Sequence, residues 1–314
     1  MSSRPVTWVI GSHGLLGQHV DRLLPDTLPT PEVPWLASED ANLVLRQGIR
    51  TLLDRAEGGD WNIAWCAGAG IVATPAQLIE QERAVFGAFL EDLSVLAGQG
   101  SGAVFFASSA GGVFADSAGP PFTEDSAPAP RTPYGRAKLA MEADLRSFAA
   151  RTGTPVLIGR IANLYGPGQN LLKSQGLVSQ LCLTHLTGHP LSLYVSLDTM
   201  RDYLYVADCA RMIVAGLDRL RSRTARAGDD LVVTKILASG RSTTVGSLLG
   251  ESSRLFRRRP RVVLGASPAA SGQVRDLRLR STVWPDLDRL ARTSLPVGIA
   301  ATAEDVARRL RAAG

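Results

Sequence analysis

Tyr134 and Lys138 are the residues of this chain whose types and spacing suit acid–base chemistry. They stand four apart in Tyr134-Gly135-Arg136-Ala137-Lys138, so on a helix they project from one side. A phenol with an ammonium beside it gives up its proton more readily, because the positive neighbour stabilises phenolate. The same spacing is common on helices that merely show a tyrosine and a lysine to water. The pair therefore means catalysis only if the rest of the chain builds a crevice around it.

The element that must carry the pair is a helix. Thr132 is placed to cap it and Pro133 to open it, and Met141, Leu145 and Phe148 give it an apolar face that runs until Gly153. Upstream, the apolar run Val6 to Ile10 predicts a strand buried on both faces, and Gly11-Ser12-His13-Gly14-Leu15-Leu16-Gly17 follows at once. Leu16, Val20, Leu23 and Leu24 then repeat at helical spacing until Pro25. Glycines between a strand and a helix are the setting in which a backbone binds a pyrophosphate. Trp61 to Ala67 predicts a second buried strand, ending in Ala67-Gly68-Ala69-Gly70, and a long helix begins at Pro75 with Leu78, Glu82, Val85, Phe89, Leu93 and Leu96. Ala103 to Ala107 is the next strand, with Ser108 and Ser109 just beyond it, and Val156 to Ala162 is another, ending at Asn163. Short apolar strands alternating with helices predict an α/β fold with a doubly wound parallel sheet, whose ligands lie beyond the carboxyl ends of the strands. Gly11, Gly68, Ser109 and Asn163 all fall there.

Composition narrows the class. With 314 residues, 45% hydrophobic and 20% charged, the chain has ample material for a core. The net charge of +5 suits a polyanionic small molecule and does not by itself distinguish one from nucleic acid. The arginine-dense run from Arg254 through Arg257, Arg258 and Arg259 to Arg261 has no interleaved aromatic platforms, so no nucleic-acid partner is expected. Cys66, Cys182 and Cys209 are widely spaced in apolar surroundings, which fits neither a disulfide framework nor a metal site and suits a reducing cytoplasm. No apolar run approaches the ~20 residues of a membrane span, and no membrane partner is expected. His185 and His189 are four apart without an evident third ligand, so no metal is expected. Five prolines between Ala115 and Pro133 mark an irregular segment that wraps the site, and Thr244 is placed to cap a helix with Val245, Leu248 and Leu249.

The order of these stretches resembles the extended short-chain dehydrogenase/reductase superfamily (a Rossmann fold), in its NAD-dependent epimerase/dehydratase branch acting on nucleotide-diphosphate sugars. The resemblance covers nearly the whole chain. It rests on the Gly11 to Gly17 loop, Ser108-Ser109, Thr132-Pro133-Tyr134-Gly135-Arg136-Ala137-Lys138, Arg160-Ile161-Ala162-Asn163-Leu164-Tyr165-Gly166-Pro167-Gly168 and Arg201-Asp202-Tyr203-Leu204-Tyr205-Val206-Ala207-Asp208. It implies a dinucleotide-binding domain over 1–165 and, mainly over 166–314, a smaller C-terminal substrate-binding lobe, with segments near 202–220 and 231–238 returning to the first. It implies NAD, or NADP, held by Gly11, His13, Gly14, Leu15, Leu16, Gly17, Ala67, Gly68 and Ser108, with Tyr134 and Lys138. Tyr134 would exchange a proton with a sugar oxygen while Lys138 stabilises the phenolate and bonds the nicotinamide ribose. Ser109, or Ser108, would donate to the reacting oxygen, and Asn163 and Arg201 would hold the nucleotide diphosphate. The helices from Pro75 and Pro133 resemble the pair that forms a homodimer's four-helix interface.

Departures from the pattern shape the expected reaction. The family's hydroxyl position corresponds to Ala110, one step past Ser109, and Ala110-Gly111-Gly112 stands where a 4,6-dehydratase carries an Asp-Glu pair. Dehydration is thereby disfavoured, leaving 4-epimerisation, which the 163–169 and 201–203 stretches favour, against reduction of a ketosugar with NADPH. A homologue that binds nucleotide without turnover is the alternative from another class. The acid expected to hold the adenosine ribose is not evident: Glu32 comes early and Glu39 and Asp40 late, and the span from Gly17 to Trp61 is short for the usual two strands and their helices.

Overall fold

The structure is a computed structural model that describes residues 4–68, 70, 74–97, 101–171, 176–224, 230–265 and 274–313. Its centre is a parallel sheet of five strands in the order β1-β2-β3-β4-β8. These are β1 (Val6–Ile10), β2 (Trp61–Trp65), β3 (Gly102–Ser109), β4 (Val156–Ile161) and β8 (Val232–Leu237). All ten residues of β1 and β2 are buried, as expected of strands covered on both faces. One face is covered by α2 (Ser38–Ala56), α3 (Ala76–Leu96) and α5 (Pro133–Thr152) over a core that includes Trp8, Trp61, Trp65, Phe86, Phe89, Phe106 and Phe148. The other is covered by α1 (Leu15–Asp21), α4 (Ala110–Val113), α7 (Val206–Thr224) and α9 (Pro285–Asp288), with Phe105, Phe114, Leu157, Met212, Ile213 and Trp284 between. The sheet is doubly wound.

It is also one-sided. In the doubly wound order the first strand lies in the middle of the sheet, with two more beyond it. Here β1 is the edge. Beyond it lies an isolated bridge from Thr7 to Thr27, with Thr7 N–H donating to Asp26 O, Leu28 N–H to Thr7 O, and the Thr30 hydroxyl to Val9 O. The cause is legible in the chain: Pro25, Pro29, Pro31 and Pro34 lack the N–H that a ladder needs, which stops a strand and also blocks the edge against further pairing. α1 ends at Asp21, short of the predicted Leu23 and Leu24, and Leu23 is exposed. α2 returns across this edge so closely that a Cβ on Gly48 would run into the Trp8 indole.

The remaining elements build a second layer beyond the strand ends. β5 (Asn163–Tyr165), β7 (Met200–Tyr205) and β9 (Ser242–Thr244) form a three-stranded sheet, and β6 (Leu191–Leu193) pairs with β10 (Val262–Leu264). α6 (Leu177–Thr187), α8 (Val245–Phe256) and α10 (Leu295–Ala313) enclose Tyr165, Cys182, Tyr203, Leu248 and Ile299. Thr244 does cap α8, its Oγ1 accepting the Ser247 N–H at 3.0 Å. His185 bonds Ser252 at 2.8 Å and stacks on Phe256, a packing role. The proline-rich segment is tied down at Phe122, which stacks on Phe114 and bridges Leu279, and at Glu124, which accepts from Ile236 N–H, Thr282 N–H and the Ser281 hydroxyl.

Candidate active site

The first turn of α5 is set by its capping residues. Thr132 Oγ1 accepts the Gly135 N–H at 3.2 Å and Pro133 opens the helix, so the side chain of Tyr134 leaves from its very start. Gly135 admits no side chain, since a Cβ there would run into the Gly112 carbonyl; α5 therefore lies directly on α4. The Tyr134 ring stands between two glycines. A Cβ on Gly112 would lie 3.1 Å from Tyr134 Cε1, and one on Gly70 would lie 3.3 Å from Cδ2. One turn on, Lys138 is buried with Nζ 5.8 Å from the Tyr134 ring centre and 5.2 Å from that of Phe106. Its ammonium meets Glu82 Oε1 at 3.3 Å, and Glu82 Oε2 accepts the Gly70 N–H at 3.0 Å.

The strand registers bring the other elements to the same end of the sheet. Ile10, Trp65, Phe106 and Ile158 form one row across β1 to β4, and Ser109 is level with Ile161 and Leu237. Gly11 leaves β1 with φ of +89°, and a Cβ on it would sit 2.7 Å from Ala67 N. A side chain on Gly17 would run into the Gly11 carbonyl, and Gly14 N–H closes the turn onto that same carbonyl at 2.9 Å. His13, Gly14 and Gly68 are exposed, Leu15 is half-buried, and Leu16 and Ala67 are buried beneath them. A turn between β1 and α1 with glycines at 11, 14 and 17, set closely against Ala67, fits the backbone cradle of a dinucleotide pyrophosphate. Ala69 lies outside the described residues.

The two serines differ. Ser108 is buried and donates to Glu142 Oε1 at 2.6 Å, and Glu142 in turn holds Arg160 through Oε2 at 2.8 Å. Ser109 is half-buried at the strand end, its Oγ accepting the Gly112 N–H at 3.1 Å as the cap of α4 and so holding the loop beside Tyr134. Ser109 is the serine at the mouth, and Ser108 belongs to a buried ion pair beneath it.

Asn163 and Arg201 lie in the three-stranded sheet. Asn163 is exposed at the start of β5, two residues beyond Ile161. Arg201 is buried in β7, with Nη1 donating to the Met200 carbonyl at 2.8 Å, and burial lowers its proton affinity. Three tyrosines crowd this lobe: burial pushes Tyr203 up to about 12 and raises Tyr165 and Tyr205 as well. The 163–169 loop is clamped by α1 and α10: Gln18 and His19 bond the carbonyls of Gly168 and Pro167, and Gly168 N–H donates to Asp305 at 2.9 Å.

Sequence reasoning missed the charged partners of this site. Glu82 had a signal, a carboxylate at helical spacing from Val85, Phe86 and Phe89, which face the core. Glu142 stands four residues after Lys138, an ordinary spacing with no such signal. Lys235 reads as one polar residue in a strand, yet it is fully buried, bonding Ser281, the Val283 carbonyl and Asp288.

Curated relatives match parts of the chain. A dTDP-L-rhamnose 4-epimerase of Burkholderia thailandensis is 39% identical over 93 residues, 29% of this chain and 26% of that protein. A dTDP-4-dehydro-6-deoxyglucose reductase of Escherichia coli is 32% identical over 115 residues, 37% of this chain and 36% of that protein. The matches thus span about a quarter to a third of each relative's length. The fold as a whole is similar to a UDP-glucose 4-epimerase of Stenotrophomonas maltophila solved with bound NAD and formylated UDP-arabinopyranose, with a TM-score of 0.78 over 98% of this chain and 100% of that one at 19% identity. The model of the NAD dependent epimerase/dehydratase family matches residues 69–232, more than half of the chain and the whole of the Tyr134–Lys138 helix, and the chain belongs to that family.

Proposed function

We propose that the protein is a nicotinamide-dependent enzyme that oxidises and reduces a nucleotide-diphosphate sugar, with 4-epimerisation through a transient ketone as its reaction. The observation that carries this reading is the Tyr134 ring between Gly70 and Gly112 with the Lys138 ammonium one turn behind it, at the end of the sheet where the glycine turn also opens. A bound nicotinamide dinucleotide supplies a reversible hydride acceptor. Tyr134 takes the proton of the sugar hydroxyl as it becomes a carbonyl and returns it when the carbonyl is reduced from the other face. Lys138 stabilises the phenolate, and Ser109 donates to the same oxygen and keeps it near the phenol. Arg201 and Asn163 hold the diphosphate. Glu32 supports NAD: exposed, and two residues past the Thr30 hydroxyl that holds Val9, it is an acid at the carboxyl end of β1, where an adenosine ribose would lie.

A second reading, reduction of a ketosugar with an exchangeable NADPH, is favoured by the edge position of β1. The proline-rich 25–37 segment stands where two strands would wall the adenosine half, which suits a carrier that leaves after each turnover. A homodimer through α3 and α5 is supported by their outward groove, where Arg83 faces Asp144 and Arg151 faces Glu91 across small residues such as Gly87. The deciding experiment is mass spectrometry of the nucleotide retained on purification, with NMR of UDP- and dTDP-hexoses incubated with the protein. Retained NAD and a 4-epimer formed without added nucleotide are expected. Stoichiometric consumption of NADPH with a 4-ketosugar would establish the reductase, and no conversion in either arm would overturn both readings.

A further inference from the structure

Glu82 shares the crevice with the acid–base pair, and nothing in the mechanism above requires it. Its side chain is 10% exposed and that of Lys138 5%, so their contact is shielded from water. Two glycines show how close it comes to the space a ligand would fill. A Cβ on Gly68 would lie 3.3 Å from Lys138 Nζ and 3.4 Å from Glu82 Oε1, and one on Gly70 would lie 3.3 Å from both Glu82 Oε2 and the Tyr134 ring. Glu142, the other carboxylate on this side of α5, is taken up by Arg160 and Ser108. Glu82 is therefore the counter-charge of Lys138 at the floor of the crevice.

The charge matters because the two forms of a nicotinamide ring differ by one positive charge. An uncompensated ammonium beside the ring opposes the oxidised, cationic form and leaves the reduced, neutral form nearly unaffected. We propose that Glu82 is a positioning residue that offsets part of the Lys138 charge and thereby lets the crevice hold the oxidised nicotinamide, setting the balance between oxidised and reduced carrier. This inference rests on the reading of the crevice as a nicotinamide site. The Gly70 N–H bond gives Glu82 a second grip, which fixes the carboxylate against the Lys138 ammonium.

The test is the ratio of the dissociation constants of NAD+ and NADH, measured by calorimetry and NADH fluorescence on nucleotide-free protein. Glu82→Gln keeps the shape and the Gly70 bond but removes the charge, and the ratio Kd(NAD+)/Kd(NADH) rises roughly tenfold, the scale of one charge at this range in a partly buried site. Lys138→Met removes the opposite charge, and the ratio falls below that of wild type. Glu82→Asp, which retains the charge, keeps the wild-type ratio even where both affinities weaken. Equal losses for both nucleotides in Glu82→Gln would overturn the proposal, because a purely structural anchor for Gly70 predicts that result. If Glu82→Gln does not fold, a ratio that rises in Lys138→Met overturns it equally. Wild-type protein that binds neither nucleotide, nor their 2′-phosphorylated forms, would sink the dinucleotide reading itself and this inference with it; binding with an unmoved ratio sinks the inference alone.

Discussion

Two of the residues beside the Tyr134 ring have no side chains. Gly70 and Gly112 flank the ring, and Gly135 lets the whole helix settle onto α4. Replacing the phenol with Tyr134→Phe removes one proton donor and no packing, so turnover falls by roughly 10²–10⁴ while dinucleotide affinity changes little, as rate assays and calorimetry on the same preparation will show. Wild-type rates in that variant would refute the assignment. Beneath it, Glu142 and Arg160 form an ion pair with side chains 1% and 5% exposed. Glu142→Gln leaves the guanidinium buried without its counter-charge and lowers stability by about 3–5 kcal/mol, measured by urea denaturation. At this scale the tyrosine, the lysine and the glycine loop were legible in the sequence because each has a local signature. The carboxylates that answer the charges were not, since Glu82 and Lys138 are 56 positions apart and only the packing of α3 against α5 joins them.

Helices were the most readable elements, and their ends explain why. Thr132, Pro133 and Gly153 bound α5 as read, and Gly153 takes the left-handed conformation that ends it. The glycines inside helices divide by what a side chain would meet. Gly250 in α8 has nothing within 4 Å of an added Cβ, so Gly250→Ala stabilises by about 0.5–1 kcal/mol. Gly135 has the Gly112 carbonyl in that place, so Gly135→Ala forces α5 off α4, costs about 1–3 kcal/mol and disrupts the Tyr134 position. Thermal melting of the two variants gives opposite signs; a neutral Gly135→Ala would show that α5 does not need this contact. α1 was read too long because Leu23 and Leu24 keep helical spacing after the helix has ended at Asp21, and apolar spacing alone does not say where a chain turns.

Across the whole molecule, the proline-rich segment, β8 and the C-terminal stretch are joined at Glu124. Burial would raise its carboxyl, but hydrogen bonds from the Ser281 hydroxyl and the Ile236 and Thr282 N–H groups outweigh that and hold it below the usual carboxylate range. A carboxyl depressed in the folded state contributes stability above its unfolded pKa and loses that contribution as pH falls through the folded one. The melting temperature therefore falls on acidification below about pH 4, and Glu124→Gln, less stable at pH 7, shows a shallower fall; parallel melting curves for the two would rule the linkage out. Burial raises Asp288 and Asp202, whose contributions run the opposite way; the Glu124 charge also raises Asp288, so Glu124→Gln removes that contribution together with its own. The sequence by itself determined the alternation of strands and helices, the glycine turn and the Tyr134–Lys138 pair, because periodicity, capping and missing side chains act over a few residues. Even the want of room for two further strands between Gly17 and Trp61 could be counted along the chain. Only the tertiary structure decided that β1 is an edge, that Ser108 faces a buried ion pair while Ser109 stays at the mouth, and that Glu82 answers Lys138. Register and burial between segments far apart in sequence are settled by how whole elements pack, and no local pattern encodes them.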